Sequence, residues 1–186
     1  SSNEEVVSQT GLILDQIDHM TERIEEFLAF ARTRRPRRES VDLSALARGV
    51  VDLLVADACA ADVDISCAGA EEARLEGDRS QLQELLMNLV INAIQACDSG
   101  DGVQVAIHSA QHHVLLEVID TGRGIPQDQL SKVTEPYFTT RQEGSGLGLA
   151  IAERIAESHH AMLQIESTWG EGTRVAVQLP KEMAGE

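Results

Sequence analysis

Glu84, Asn88 and Asn92 recur at intervals of four, so on a helix they form one polar stripe beside the apolar face of Leu82, Leu85, Leu86, Leu89, Ala93 and Ala96. Amide oxygens on such a stripe could complete the octahedral shell of a magnesium ion whose other ligands are waters and nucleotide phosphates. Further on, Asp120-Thr121-Gly122-Arg123-Gly124-Ile125-Pro126 follows an apolar strand-like run. A carboxylate there could accept from an adenine amino group, and glycines let backbone approach a ligand closely. Glu135-Pro136-Tyr137-Phe138-Thr139-Thr140 and Gly144-Ser145-Gly146-Leu147-Gly148-Leu149 come next. The glycine series opens a helical pattern, and the free amides and positive end of a helix suit phosphate oxygens. It is not a P-loop, because no Gly-Lys-Ser/Thr follows, and not a dinucleotide fingerprint, because no first strand of a βαβ unit precedes it. Each feature alone has a plain alternative: a solvated helix face, a turn, or the packing of a loop.

The elements that must position these groups follow from periodicity and punctuation. Ser44 is placed to cap a helix through Ala61, Val63 to Cys67 alternates as a strand, and another short strand leads to Asp78. Asp78 then caps the helix that carries the polar stripe. Val103 to Ser109 and Val114 to Ile119 read as paired strands. The irregular, Gly-containing stretch from Thr121 to Ser145 is long for a compact domain and reads as a functional lid. A helix from about Leu147 to His159 and a hairpin of Met162 to Thr168 with Thr173 to Leu179 complete the pattern. The expected fold is α+β, a two-layer α/β sandwich with helices over a mostly antiparallel mixed sheet.

Upstream, Val6, Thr10, Ile13, Ile17, Met20, Ile24, Phe27 and Ala31 follow 4/3 spacing, a heptad seam on one long helix. Such a seam calls for a partner helix or, less economically, for packing against its own domain. Pro36 amid Arg32, Arg34, Arg35, Arg37 and Arg38 ends that helix. The reading therefore divides the chain into residues 1–34, a linker at 35–40 and a globular domain at 41–182.

Composition narrows the function classes. The net charge of −16 opposes general nucleic-acid binding, and no apolar run approaches the roughly 20 residues that span a bilayer. Cys59, Cys67 and Cys97 are odd in number and form no CxxC, so neither a disulfide framework nor a zinc site is expected, and a reducing, cytoplasmic location fits.

Taken in order and spacing, the four chemical features resemble the N, G1, F and G2 boxes of sensor histidine kinases, and Gly170-Glu171-Gly172-Thr173 resembles their closing glycine-threonine motif. The resemblance covers about residues 39 to 182, and the short lid is most similar to the nitrogen-regulation type. It implies the Bergerat ATP-binding fold shared with gyrase B, heat-shock protein 90 and MutL. It further implies ATP and magnesium as ligands, with Asp120 and Thr173 at the adenine end, Asn92 on the metal, and Gly144, Gly146 and Gly148 near the phosphates. Gly122, Gly124, Ile125, Tyr137, Phe138, Ser145, Leu147 and Leu149 belong to the same implied nucleotide set. Asn88, Asn92 and Arg141 are the implied catalytic residues, Arg141 because the family's basic residue at Gln95 is absent and a cation before the glycine loop could offset phosphoryl charge.

Residues 6 to 33 look similar to the second helix of the family's dimerisation hairpin, which implies a weak homodimer through residues 6–31. No His-Glu-x-x-Asn segment exists, and His19, His108, His112, His113, His159 and His160 read as exposed or locally hydrogen-bonded. The implied function is a module that passes the ATP γ-phosphate to a histidine on a helix outside this chain, for relay to the aspartate of a response regulator receiver domain. By itself the chain is expected not to phosphorylate itself. The alternative is a free-standing ATPase or protein serine kinase of the same fold, in which a glutamate replaces Asn88; an amide cannot take a proton.

Overall fold

The computed structural model describes residues 36–139 and 145–182. The heptad helix over residues 6–31, Arg32, Arg34 and Arg35 of the linker, and Thr140, Arg141 and Gly144 of the lid lie outside the described residues. In chain order the elements are β1 (Glu39–Asp42), α1 (Leu43–Ala60), β2 (Asp64–Gly69), β3 (Arg74–Gly77), α2 (Arg79–Ile94), β4 (Gly102–Ser109), β5 (His113–Asp120), α3 (Gly148–Ser158), β6 (Met162–Thr168) and β7 (Gly172–Pro180).

A five-stranded sheet runs β2-β4-β5-β7-β6, parallel between β2 and β4 and antiparallel elsewhere. Successive strand side chains point to opposite faces. Val114, Leu116 and Val118 of β5 and Val175, Val177 and Leu179 of β7 thus share one buried face. Leu82, Leu85, Leu86 and Leu89 of α2 complete that core, each 2% exposed or less, and a fully buried Leu contributes about 1.5–3 kcal/mol. The expected layering is what the structure has. On the outer face Glu117 is buried but paired: Arg174 Nε donates to its Oε1 at 2.7 Å, and His108 Nε2 stands 3.0 Å from its Oε2.

Two local features differ from the sequence reading. The cap of α1 is Asp42, whose Oδ1 accepts from Ser44 N at 3.1 Å, Ala45 N at 3.4 Å and Ala73 N at 3.1 Å. Ser44 is instead inside the first turn, buried, with its hydroxyl unpartnered. An extended residue just before the helix aims its carboxylate at the orphan amides, and Asp42 holds that conformation. The short strand β1 has too few residues to show a period. It exists through antiparallel pairing with β3, from Glu39↔Gly77 to Asp42↔Arg74.

The two helices that flank the polar stripe are tied end to end. Asp78 caps α2, accepting from Ser80 N at 3.0 Å and Gln81 N at 3.2 Å, and its other oxygen accepts from Arg37 N at 2.9 Å. Burial pushes its carboxyl up, but the Ser80 hydroxyl and these amides outweigh burial and hold it below the usual carboxylate range. Asp78 N–H donates to Nε2 of His159 at 3.0 Å, and His159 Nδ1 donates to Ile155 O at 2.9 Å. The buried imidazole thus fastens the end of α3 to the start of α2. The opposite end of α3 therefore lies along the later turns of α2, where Asn88 and Asn92 sit.

Candidate functional site

Asp120 ends β5 and pairs with Thr173 of β7. Only 7% exposed, its Oδ1 accepts from Gly122 N at 3.0 Å and Thr173 N at 3.2 Å. Two backbone donors fix the carboxylate in place. The loop after it is fastened on both sides. Arg123 N donates to Ala96 O at 3.1 Å, just past α2, and Ile125 N donates to Ser167 Oγ at 2.8 Å on β6. At Gly124, φ is +68°, and a Cβ would lie 2.1 Å from the Thr168 carbonyl oxygen, so only glycine permits this approach.

The other end of the site forms where α3 begins. A Cβ on Gly148 would lie 3.0 Å from Asn92 Nδ2 and 3.1 Å from Asn88 Oδ1, so the backbone of the glycine series rests against both amides. Asn88 Nδ2 donates to Glu84 O at 2.9 Å, which orients its oxygen. α3 opens at Leu147 with no side-chain capping bond, leaving the positive helix end for an anion. Tyr137 N donates to Gly146 O at 3.0 Å and joins the lid to this turn.

Between these ends lies a cleft of about 680 Å³, within the usual range for small-molecule sites. Asn88, Asn92, Asp120 and Thr173 line it, with Gly124 and Ile125 from the loop after β5. Phe138, Ser145, Gly146, Gly148 and Leu149 line it from the lid and glycine series. Gly122, Tyr137 and Leu147, also expected at the ligand, do not line it. Gly122 abuts the Ala96 backbone, where a Cβ would meet Ala96 O at 2.3 Å; Tyr137 is 59% exposed; Leu147 belongs to the core. Val118, Ile165 and Val175 supply an apolar wall that the sequence reading did not single out. Two of them sit two residues from Asp120 and Thr173 on the same strand face, and the strand period was the signal available. Burial pushes the Glu84 carboxyl up, but Glu84 does not line the cleft. Burial, with the Asp120 and Asp101 carboxylates, also pushes the Cys97 thiol up to about 11, so it stays protonated and inert.

Among the described residues no cluster of three His, Cys, Asp or Glu could hold a metal ion. A cation at this site would therefore depend on amide oxygens and on the ligand's own phosphates, the donor set that suits magnesium. Among the described residues no helix is long and apolar enough to cross a membrane.

An apolar slot with a fixed carboxylate near one end, and a helix start without a side-chain cap beside two amides at the other, has the layout of a nucleotide-binding domain. A family model described as histidine kinase-, DNA gyrase B-, and HSP90-like ATPase matches residues 77–183. Sensor protein DegM of Bacillus sp. (strain B21-2) is 33% identical over 94% of this chain and 46% of its own length. Sensor histidine kinase ZraS of Escherichia coli (strain K12) is 31% identical over 89% of this chain and 36% of its own length. The chain thus spans less than half of these relatives. The nucleotide-free catalytic domain of histidine kinase ThkA is 28% identical with a TM-score of 0.72, over 78% of this chain and 97% of that domain. ThkA in complex with response regulator protein TrrA is 25% identical with a TM-score of 0.76, over 91% of this chain and 49% of that one. The chain belongs to the histidine kinase-, DNA gyrase B- and HSP90-like ATPase family, and its ATP-binding domain is of the sensor histidine kinase type.

Proposed function

We propose that this chain is the catalytic part of a sensor histidine kinase that transfers the γ-phosphate of ATP to a histidine on a dimerisation helix, for relay to an aspartate of a response regulator. The observation that carries this reading is the span of α2. Its end meets the Asp120 loop through Arg123 N and Ala96 O, while Asn88 and Asn92, on the preceding turns, meet Gly148. Base recognition and phosphate binding are thereby held at a set separation by one rigid helix. ThkA has been solved with a response regulator, and the same class of partner is proposed here.

Each group then has a task. The Asp120 carboxylate accepts from the adenine amino group and rejects guanine, whose carbonyl stands at that position. The start of α3 and the Gly146–Gly148 backbone receive phosphate oxygens. Asn92, with Asn88 beside it, would hold a magnesium ion, which would supply positive charge to offset that of the phosphates. Arg141 adds a cation from the lid. The domain contributes positioning and charge stabilisation more than covalent chemistry. Asn88 stands where a free-standing ATPase would place a proton acceptor, which favours the kinase reading.

The test is labelling with γ-labelled ATP and magnesium after an acceptor helix bearing a His-Glu-x-x-Asn segment is supplied in trans. Acid-labile phosphate should map to that helix. Steady release of free phosphate with no labelled histidine would favour the ATPase reading instead.

A further inference from the structure

Trp169 is the chain's single tryptophan and is 62% exposed, yet it lines the nucleotide cleft, as do Arg123, Pro126 and Gln129. Nothing in the turn that carries it calls for an indole. Glu171 N donates to Thr168 O at 3.0 Å and Gly170 has φ +83°, a type II turn whose third residue needs glycine while the second tolerates most residues. The backbone on either side is held fast. Gly170 N donates to Arg123 O at 2.8 Å, and Ser167 Oγ accepts from Ile125 N at 2.8 Å and donates to Gly172 O at 2.9 Å. These bonds tie the turn to the loop that starts at Asp120. A large flat ring is therefore displayed to solvent on a fixed rim at the base-reading end of the cleft. Aromatic rings gain most from stacking on another ring, and a purine presents one there.

We propose that Trp169 is the base-stacking residue of this site: its indole covers the solvent-facing side of the purine whose amino edge Asp120 reads. This inference rests on the ATP-binding reading above and adds a residue that selects for the aromatic base, as distinct from the phosphate chain. Val118, Ile165 and Val175 line the same cleft as Trp169; on this proposal they meet the base from within and the indole covers it from the solvent side.

Because the chain has one tryptophan, its emission reports this indole alone. The full chain is titrated with adenosine, ADP and inorganic tripolyphosphate, with calorimetry alongside. Adenosine and ADP should change the emission at the concentrations where heat is released, and tripolyphosphate should leave it unchanged. Trp169→Ala should weaken ADP binding roughly tenfold and Trp169→Phe should restore most of that loss. Both variants keep the fold, since the ring is outside the core, and far-ultraviolet circular dichroism checks this. Emission that stays constant while calorimetry shows ADP bound would overturn the proposal, as would Trp169→Ala binding ADP within twofold of the unsubstituted chain. A response to tripolyphosphate but not to adenosine would place the indole at the phosphate end and would also overturn it. If calorimetry detects no ADP binding at all, the ATP-binding reading fails and this inference falls with it.

Discussion

Oδ1 of Asp120 is shared between two backbone amides, so the carboxylate cannot swing to suit a different base without losing them. That rigidity is what turns a hydrogen-bond acceptor into a selector, because a base with the wrong edge leaves a buried charged group facing a carbonyl. Asp120→Ala is expected to weaken ATP and ADP binding about a hundredfold, roughly 3 kcal/mol, since a hydrogen bond to a charged group is lost and the adenine amino group is buried unpaired. Isothermal calorimetry measures it directly. Equal affinity of the unsubstituted chain for GTP and ATP would refute the role given to Asp120.

At the scale of elements, His159 is the joint between α2 and α3. Burial holds its pKa below the ordinary 6.5, even though the Ile155 carbonyl and the Asp78 carboxylate act the other way and His160 reinforces the depression. The folded state therefore keeps the imidazole neutral where the unfolded chain would protonate it. With the unfolded state binding more protons, stability is complete above about pH 6.5 and declines as pH falls from there toward the depressed folded value. Asp78, whose carboxyl is held low, begins to lose its capping strength only in a more acidic range. His159→Ala should cost about 3 kcal/mol by leaving Asp78 N–H unpaired and opening a cavity. It should also flatten the dependence just below pH 6.5. Urea denaturation across that range is the measurement; a variant with the same pH slope as the parent would assign the titration to another group.

The described part of the lid beyond Pro126 has few buried anchors. Its backbone bonds there are mostly local turns, such as Gln129 N to Pro126 O and Lys132 N to Gln129 O, with Tyr137 N to Gly146 O the longer tie, and Val133 is its one buried hydrophobic residue among those described. Few buried contacts imply a low free energy of local opening. Since Gln129, Val133 and Phe138 line the cleft, residues 127–139 should gain hydrogen-exchange protection when ATP and magnesium bind. Identical exchange in apo and bound samples would count against closure over the nucleotide.

For the whole molecule, catalysis by positioning needs an acceptor held in line with the γ-phosphate. None of the six histidines in the sequence belongs to a His-Glu-x-x-Asn segment, and His159 is buried in a structural role. The chain alone is expected to bind ATP and form no stable phosphohistidine. Asn92→Ala should suppress labelling of a supplied acceptor helix at least tenfold by weakening the magnesium site. Mapping of acid-labile phosphate distinguishes the cases, and robust labelling of His19 or any other histidine of the chain would remove the need for a separate acceptor.

Much of this was legible in one dimension because it depends on local spacing. The interval of four brings Glu84, Asn88 and Asn92 to one helix face, and period two gives the core strands their buried side. Asp78 announces the start of α2, and glycines at Gly124 and Gly146 mark backbone that must turn or approach closely. What tertiary structure alone decided depends on contacts far apart in sequence. The β1 strand exists only by pairing with β3, Asp42 becomes the cap in place of Ser44 partly because Ala73 also donates to it, and His159 finds its partner at Asp78. The same holds in the cleft. Trp169 and Asp120 meet one ligand space because Arg123 and Ile125 are bonded to the β6–β7 hairpin, a juxtaposition that no periodicity within a single element encodes.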